Sequence, residues 1–322
     1  MMLILTLMIG LDRFGPPEIA PFFNGAAGAV SLQFDDSMPS QLQNAVPLLK
    51  ARGLHATFFV NPGQGHYKAH SHDWEVELPA AGHEIGNHTM NHTGAKDATE
   101  AEKQIAECSD VINRLPGRHP RLVSFAVPGG VPWKVTAADT APVFKKYCLV
   151  QSNDRIFFDE KQVDPVTFAQ RAVANRNWAQ IGMHGTGGEW LSTSIPTLTR
   201  LLDFLVANHS TVWTAPTIDV YKYIQERNAV EPLRLTSVSA SGFSLKVRCD
   251  PAKLQTFGRP AASLYDQPLT VEVPVPATWS AYRIEQGKSR THGKTVDAGG
   301  KHLARFSVDP NGGVVHVEIQ AP

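Results

Sequence analysis

The chain has 322 residues, 42% of them apolar, which is enough for one large domain plus a smaller one and argues against wholesale disorder. Lysine plus arginine balance aspartate plus glutamate at 30 each, so no basic field points to nucleic acid and no acidic tail to a basic partner. Neutral polymers such as glycans fit that balance, as do most small molecules.

Residues 2–10 form an apolar run like the core of a signal peptide. It lacks a basic leader, and Leu11-Asp12-Arg13 follows without a small-residue cleavage pattern. Two expectations stay open: a secretory leader, with an extracellular or periplasmic protein, or a packed N-terminal strand in a cytoplasmic one. At about nine residues the run is far short of the ~20 that span a bilayer, and no other segment is expected to cross one.

From residue 28 strands and helices alternate. Gly28 to Phe34 reads as a strand, and Leu42, Ala45, Val46 and Leu49 then mark one face of a helix over 41–52. Ala56 to Val60 is the next strand, ended by Asn61-Pro62-Gly63. Ile105, Cys108, Ile112 and Leu115 form another apolar stripe, with Asp97 and Glu100 spaced as an N-terminal capping box. Strands are expected at 122–127, 147–151, 180–183 and 212–215, and helices at 164–177, 196–208 and 217–228. Such alternation predicts a parallel sheet covered by helices, open or closed into a barrel. Near Val230 the helical period stops. Segments 243–247, 269–273, 304–308 and 314–319 alternate with period two, with a turn at 309–313, so a small all-β sandwich-like C-terminal domain is expected. The expected organisation is a leader or extension over 1–24, a catalytic domain over 25–229 and a β domain over 230–322. Cys108, Cys148 and Cys249 stand far apart, which leaves open one bridge with a free thiol or three reduced cysteines.

Four segments carry chemistry, three of them where an expected strand ends, the place where parallel α/β sheets build active sites. Asp35 and Asp36 end the first strand. Adjacent carboxylates on extended backbone point apart, so one can bind a metal while the other faces a water; alone, such a pair is more often a solvated turn. In Gly82-His83-Glu84-Ile85-Gly86-Asn87-His88-Thr89-Met90-Asn91-His92, a helix after Gly86 would set His88 and His92 at i and i+4 on one face, where two imidazoles can share a divalent ion with Asp36. Such a set suits zinc hydrolysis or non-haem iron chemistry. Pro128-Gly129-Gly130 is a bare turn able to bring N–H groups to a ligand, although a plain turn is its commoner meaning. His184 is a candidate general acid, with Trp190 a stacking surface for a sugar ring; a lone histidine is more often structural. His66, His70 and His72 lie in a loop expected to be solvated rather than a second metal site.

In this order these segments resemble the polysaccharide deacetylases, carbohydrate esterase family 4 or the NodB-homology domain. Members carry Thr-Phe-Asp-Asp, His-x-x-x-His, Arg-Pro-Pro-Tyr, Asp-x-x-Asp-Trp and Leu-x-x-His motifs. Gln33-Phe34-Asp35-Asp36 is similar to the first, His88-Thr89-Met90-Asn91-His92 to the second and Ile181-Gly182-Met183-His184 to the fifth. The resemblance covers residues 28–228. It implies a distorted (β/α) barrel catalytic domain and a carbohydrate substrate losing N- or O-linked acetyl groups. It also implies Asp35 as base, His184 as acid, and Asp36, His88 and His92 as ligands of a divalent ion. Zinc comes first, with cobalt, nickel or manganese as alternatives. Pro128, Gly129 and Trp190 are expected to meet the substrate. Two motifs depart: Ala126 stands at the arginine position and Gly129 at the tyrosine position of the third, and the fourth is not recognisable, Asp154 or Asp159 being its nearest candidates. With Ala126 there, Asp35 lacks the usual neighbouring cation, so a pH–rate profile with a raised acidic limb is expected unless another residue substitutes. The rival readings are a hydrolase of the same fold acting on a cyclic imide or ureide, and a glycan-binding protein without activity. Retention of Asp35 beside the ligand set speaks against the second.

Overall fold

A computed structural model describes residues 14–153, 155–157 and 164–320. The apolar run at 2–10, and Asp154 and Asp159, lie outside the described residues. The chain divides into two compact units, each considered on its own: Ala27–Tyr221 with Thr256–Leu264, and the residues up to Ala26 with Lys222–Gln255 and those from Tyr265 on. Strand β1 (Glu18–Ile19) belongs to the latter.

The first unit is built on β2 (Gly28–Asp35), β3 (Thr57–Val60), β4 (Glu84–Asn87), β5 (Val123–Phe125), β6 (Leu149–Gln151), β7 (Arg155–Phe157), β8 (Trp178–Met183) and β9 (Val212–Thr214). Among the described residues they form one sheet in the order β6-β5-β4-β3-β2-β8-β7, every pairing parallel. β9 pairs with Gly28–Val30 of β2, beside the half of β2 that β3 leaves free. Laid flat, β6 and β7 would stand about 29 Å apart at the usual strand spacing. Yet Gln151 ends β6 and Arg155 begins β7, a separation the chain can bridge over at most ~14 Å. The sheet therefore curls until its two edges face each other, which agrees with the expected distorted barrel.

Alternation along β2 gives this barrel two different faces. Val30, Leu32 and Phe34 point into an apolar layer shared with helix residues such as Leu49, Ile105, Leu198 and Leu202. Ser31, Gln33 and Asp35 face the other way and are equally buried. The Gln33 amide nitrogen lies within hydrogen-bond distance of Ser152 Oγ (2.9 Å), Gln180 Oε1 (2.9 Å) and Thr217 Oγ1 (2.8 Å), so the barrel interior is a connected polar network. The Ala98–Ile112 helix begins at Asp97, whose carboxylate accepts from the Glu100 N–H, as its spacing implies. The three cysteines are buried free thiols, which closes the question of a bridge.

The second unit contains two antiparallel sheets. One runs β1-β12-β16-β15, with β12 Leu269–Pro274, β15 Val296–Ala298 and β16 Lys301–Val308. The other runs β10-β11-β17-β13-β14, with β10 Leu235–Val238, β11 Gly242–Lys246, β13 Ala281–Gln286, β14 Ser289–Lys294 and β17 Val314–Ile319. Rings of the two sheets meet: Phe306 lies 6.4 Å from Phe243 and 6.3 Å from Tyr282. Phe14 packs edge-on against Phe243 (5.0 Å) and Trp279 (5.3 Å). Among the described residues no helix is long and apolar enough to cross a membrane.

Candidate functional site

Several candidate site residues lie at or just past the C-terminal ends of strands. Asp35 is the last residue of β2, and Asn61, His88, Ala126 and His184 each directly follow one of β3, β4, β5 and β8. Parallel strands end together at one rim, so residues distant in sequence converge there.

The turn after β2 is left-handed at Asp36 (φ 75°) and Ser37 (φ 53°), a conformation short polar residues tolerate best. The Ser37 hydroxyl accepts from the Asn61 N–H at 3.0 Å and ties this turn to β3.

The expected helix after Gly86 does not form. β4 continues to Asn87, and His88 to His92 lie in a loop with Thr89 (φ 69°) and His92 (φ 56°) left-handed. Side chains hold this loop in place of a helical ladder. Asn87 Oδ1 accepts from the Thr89 N–H (2.8 Å), Thr89 Oγ1 from the His92 N–H (3.2 Å), and Asn61 Nδ2 donates to the carbonyls of His88 (2.5 Å) and Thr89 (3.0 Å). The two imidazoles still meet, with ring centroids 4.9 Å apart, through loop folding rather than an i, i+4 face.

His88 Nε2 and His92 Nε2 each lie 3.4 Å from Asp36 Oδ1, and the three donor atoms fall within 4.8 Å of one another. Two ligands about 2.1 Å from a shared tetrahedral ion are themselves roughly 3.4 Å apart. His88 Nδ1 donates to the Ala126 carbonyl at 2.9 Å, which fixes the proton there and leaves the Nε2 lone pair facing Asp36. Both Asp36 carboxylate oxygens are buried without a hydrogen-bond partner, a costly arrangement for an anion unless a cation completes it. The donor set therefore fits a divalent ion. Burial works against the charged form of His88, but the Asp35 and Asp36 carboxylates outweigh it and raise its pKa; burial and then His88 lower that of His92.

Asp35 lies beside this cluster, its Oδ2 3.7 Å from His88 Nε2. Its other oxygen receives Arg155 Nη2 at 2.6 Å, both side chains being buried. Arg155 stands on β7, its Nε bonded to Gln33 Oε1 and its guanidinium 4.8 Å from the centre of the Phe59 ring. Burial pushes the Asp35 carboxyl up, but Arg155, and next His88, more than offset it and hold the pKa below its ordinary value. Of the two outcomes the sequence left open for Asp35, the structure shows the second, a substitute cation. Ala126 does leave a gap, and Arg155 fills it from another strand. Its only local signal is a lone arginine just past an expected strand.

His184 Nε2 lies 3.9 Å from Asp36 Oδ2, and its carbonyl accepts from Gln41 Nε2 at 3.0 Å. The same amide nitrogen donates to the Asp35 carbonyl at 2.6 Å, so one side chain couples the two strand ends. Trp190 is 55% exposed, with its ring 5.9 Å from that of His184. An open cleft of about 260 Å³ is lined by Asp36, Met38, Asn61, His66, His92 and Trp190, among others. Pro128 (buried) and Gly129 (exposed) do not line it. His66 corrects the expected solvated loop. It belongs to a short helix, Gly65–Ala69, and its Nε2 donates to the Asp36 carbonyl at 2.7 Å. His70 and His72 pair instead with Asp73 and Glu77, and among the described residues no second metal cluster forms.

Residues 24–143 match the family model described as polysaccharide deacetylase. Over that span, somewhat more than a third of its length, the chain is similar to that family. Among curated proteins, the peptidoglycan-N-acetylmuramic acid deacetylase PdaC of Bacillus subtilis (strain 168) is 32% identical over 97 residues, 29% of this chain and 20% of PdaC. A gellan lyase of a Bacillus species is 23% identical over 344 aligned positions, covering 94% of this chain and 13% of that protein. The chain thus spans a fifth or less of the length of either curated relative. The solved structure of the Bacillus subtilis peptidoglycan deacetylase PdaC aligns at 19% identity over 63% of this chain and 94% of that one, with a TM-score of 0.44.

Proposed function

We propose that this chain is a member of the polysaccharide deacetylase family and a metal-dependent hydrolase that removes acetyl groups from a carbohydrate. The observation that carries the reading is the convergence of Asp36, His88 and His92 on a buried carboxylate that no protein group satisfies, directly beside the Arg155-held Asp35. Asp36, His88 and His92 would hold the ion, zinc by the character of the donors. When bound, such an ion supplies Lewis acidity, which polarises an acyl oxygen and makes a neighbouring water more acidic.

The side chains supply the rest. Asp35, kept ionised by Arg155, takes the proton from the attacking water. His184, its Nε2 3.9 Å from Asp36 Oδ2 and its side chain 16% exposed, hands a proton to the departing nitrogen or oxygen. Gly129, an uncovered backbone position after β5, is proposed as an N–H donor to the developing oxyanion, and Trp190 as a stacking face for a sugar ring. The two antiparallel sheets are proposed to form a β-sandwich, supported by the Phe243, Phe306 and Tyr282 contacts between them.

The test is acetate release from N-acetylated and O-acetylated oligosaccharides, with and without a chelator, beside cyclic imides and ureides. Chelator-sensitive release from the sugars is expected. Turnover confined to cyclic amides, or insensitive to metal removal, defeats the proposal.

A further inference from the structure

Asn61 occupies the cleft floor in an unusual state. It is 1% exposed, follows β3 and lines the cleft with Asp36, His92 and Trp190. Its amide can sit only one way round. Nδ2 faces the carbonyls of His88 and Thr89, and since carbonyls only accept, the nitrogen must be on that side. Oδ1 is therefore turned away from the loop, and it is buried with no hydrogen-bond partner. The backbone N–H of Asn61 is already given to Ser37 Oγ. Native proteins seldom leave a buried acceptor unmet, and those that do tend to meet it with a ligand or a water.

We propose that Asn61 is a specificity-determining residue whose Oδ1 accepts a hydrogen bond from a donor on the acetylated sugar next to the acetyl group. This rests on the deacetylase reading above. A neutral amide oxygen suits a neutral N–H or O–H. Two such donors lie within a bond or two of an acetylated ring carbon: the N–H of an acetamido group and the hydroxyl on the adjacent carbon. An acetyl ester has no N–H, so the first source would favour N-acetyl over O-acetyl substrates at this position. Trp190 supplies the exposed apolar face on the same cleft, and a sugar ring presents both kinds of surface at once.

The experiment separates this role from the structural one Asn61 also has in holding the His88–Thr89 loop. Three probes are compared: an N-acetylglucosamine trisaccharide, its N-methyl-acetamido analogue without the N–H, and an analogue without the adjacent hydroxyl. The zinc-loaded protein is assayed for acetate release. Binding of each probe to the metal-free protein is measured by calorimetry. In the wild-type protein one deletion should weaken kcat/KM and binding by about 10-fold, the order expected for a lost hydrogen bond that strands a buried acceptor. In Asn61→Leu that ratio should collapse to near unity, while Asn61→Asp, which keeps an acceptor, should retain it.

A purely structural role lowers all three probes by one common factor in both variants and leaves the ratio unmoved, which overturns the inference. So does a wild-type protein indifferent to both deletions, a measurement that does not depend on either variant folding. If the wild-type protein neither binds nor deacetylates any acetylated sugar, the deacetylase reading fails and this inference falls with it. Deacetylation with an unmoved ratio removes this inference alone.

Discussion

Arg155 and Asp35 form a buried ion pair at 2.6 Å although they stand on strands separated in the sheet by β8. The pair gives the carboxylate a fixed direction, and the Gln33 side chain, itself anchored by Ser152, Gln180 and Thr217, holds Arg155 in place. Removing one partner of such a pair strands the other charge, at a cost of about 3 kcal/mol or more. Arg155→Ala should therefore lower stability in urea by that order and turnover by ~10²-fold, the lower range for a disabled base. The double variant Arg155→Ala/Asp35→Asn should regain stability without regaining activity. Equal stability of the single and double variants would show that the pair does not carry this energy.

The metal ligands should behave differently from the groups around them. His88→Ala and His92→Ala each remove one of three protein donors, and each should lose bound zinc and acetate release together. Asp35→Asn should keep the ion and lose only turnover. Elemental analysis after dialysis decides it: a full equivalent of tightly bound metal in either histidine variant rules out the assigned ligand set.

His184 is tested by the leaving group. An amine departs poorly unless protonated, whereas the alkoxide or phenoxide of an ester leaves more readily. His184→Ala should retain metal and lose ~10²–10⁴-fold on an N-acetyl sugar, the range for a missing acid. An aryl acetate should suffer clearly less. Equal damage to both substrates would remove His184 from the leaving-group role.

Stability should respond to pH with opposite sign at two buried residues. Burial lowers the His83 pKa to about 4, and His83 Nδ1 accepts from the Ala56 N–H at 3.1 Å. Below pH ~6.5 the unfolded chain takes up a proton that folded His83 refuses, so stability is complete above that pH and drains away toward pH 4. The full loss is about 3 kcal/mol. Burial raises the Glu226 pKa to about 8, so its contribution runs the other way and is lost as pH rises from ~4.5 toward 8. Urea titrations of His83→Gln and Glu226→Gln across pH 4–8 should each flatten one of these slopes. A wild-type slope left intact in His83→Gln would assign the acid sensitivity to other groups.

Much of the α/β unit is legible in the residue pattern because its strands are short apolar runs and its helices carry clear stripes, as at Ile105, Cys108 and Ile112. The Ala137–Tyr147 helix is not, since Pro142 interrupts its interior; its signal is the Thr136 and Asp139 capping box. Strand β14 has no buried residue and gives no apolar alternation, and that of β13 is confined to Tyr282 and Ile284. At the site, the four segments that carry chemistry are visible because metal and proton chemistry restricts residue type. Their supports are not. His88 and His92 are brought together by Asn61, Asn87 and Thr89 in a loop, and local spacing cannot tell that from a helix. Arg155 reaches Asp35 only after the barrel has curled, a fact of tertiary closure that no local window contains.

That closure has a further consequence. Among the described residues β6 and β7 share no ladder, so the seam between them is held by the short chain link from Gln151 to Arg155 and by side-chain bonds, Ser152 bonding to Gln180 and receiving Gln33. A fluctuation that parts the seam breaks no strand pairing and leaves Asp36 in the turn after β2 and His88 and His92 in the loop after β4. It does relax the curl of β2, β8 and β7 that holds Arg155 against Asp35. Under mild heat or urea the protein should then fall silent while still holding its ion, the proton acceptor losing its aim before the metal loses its home.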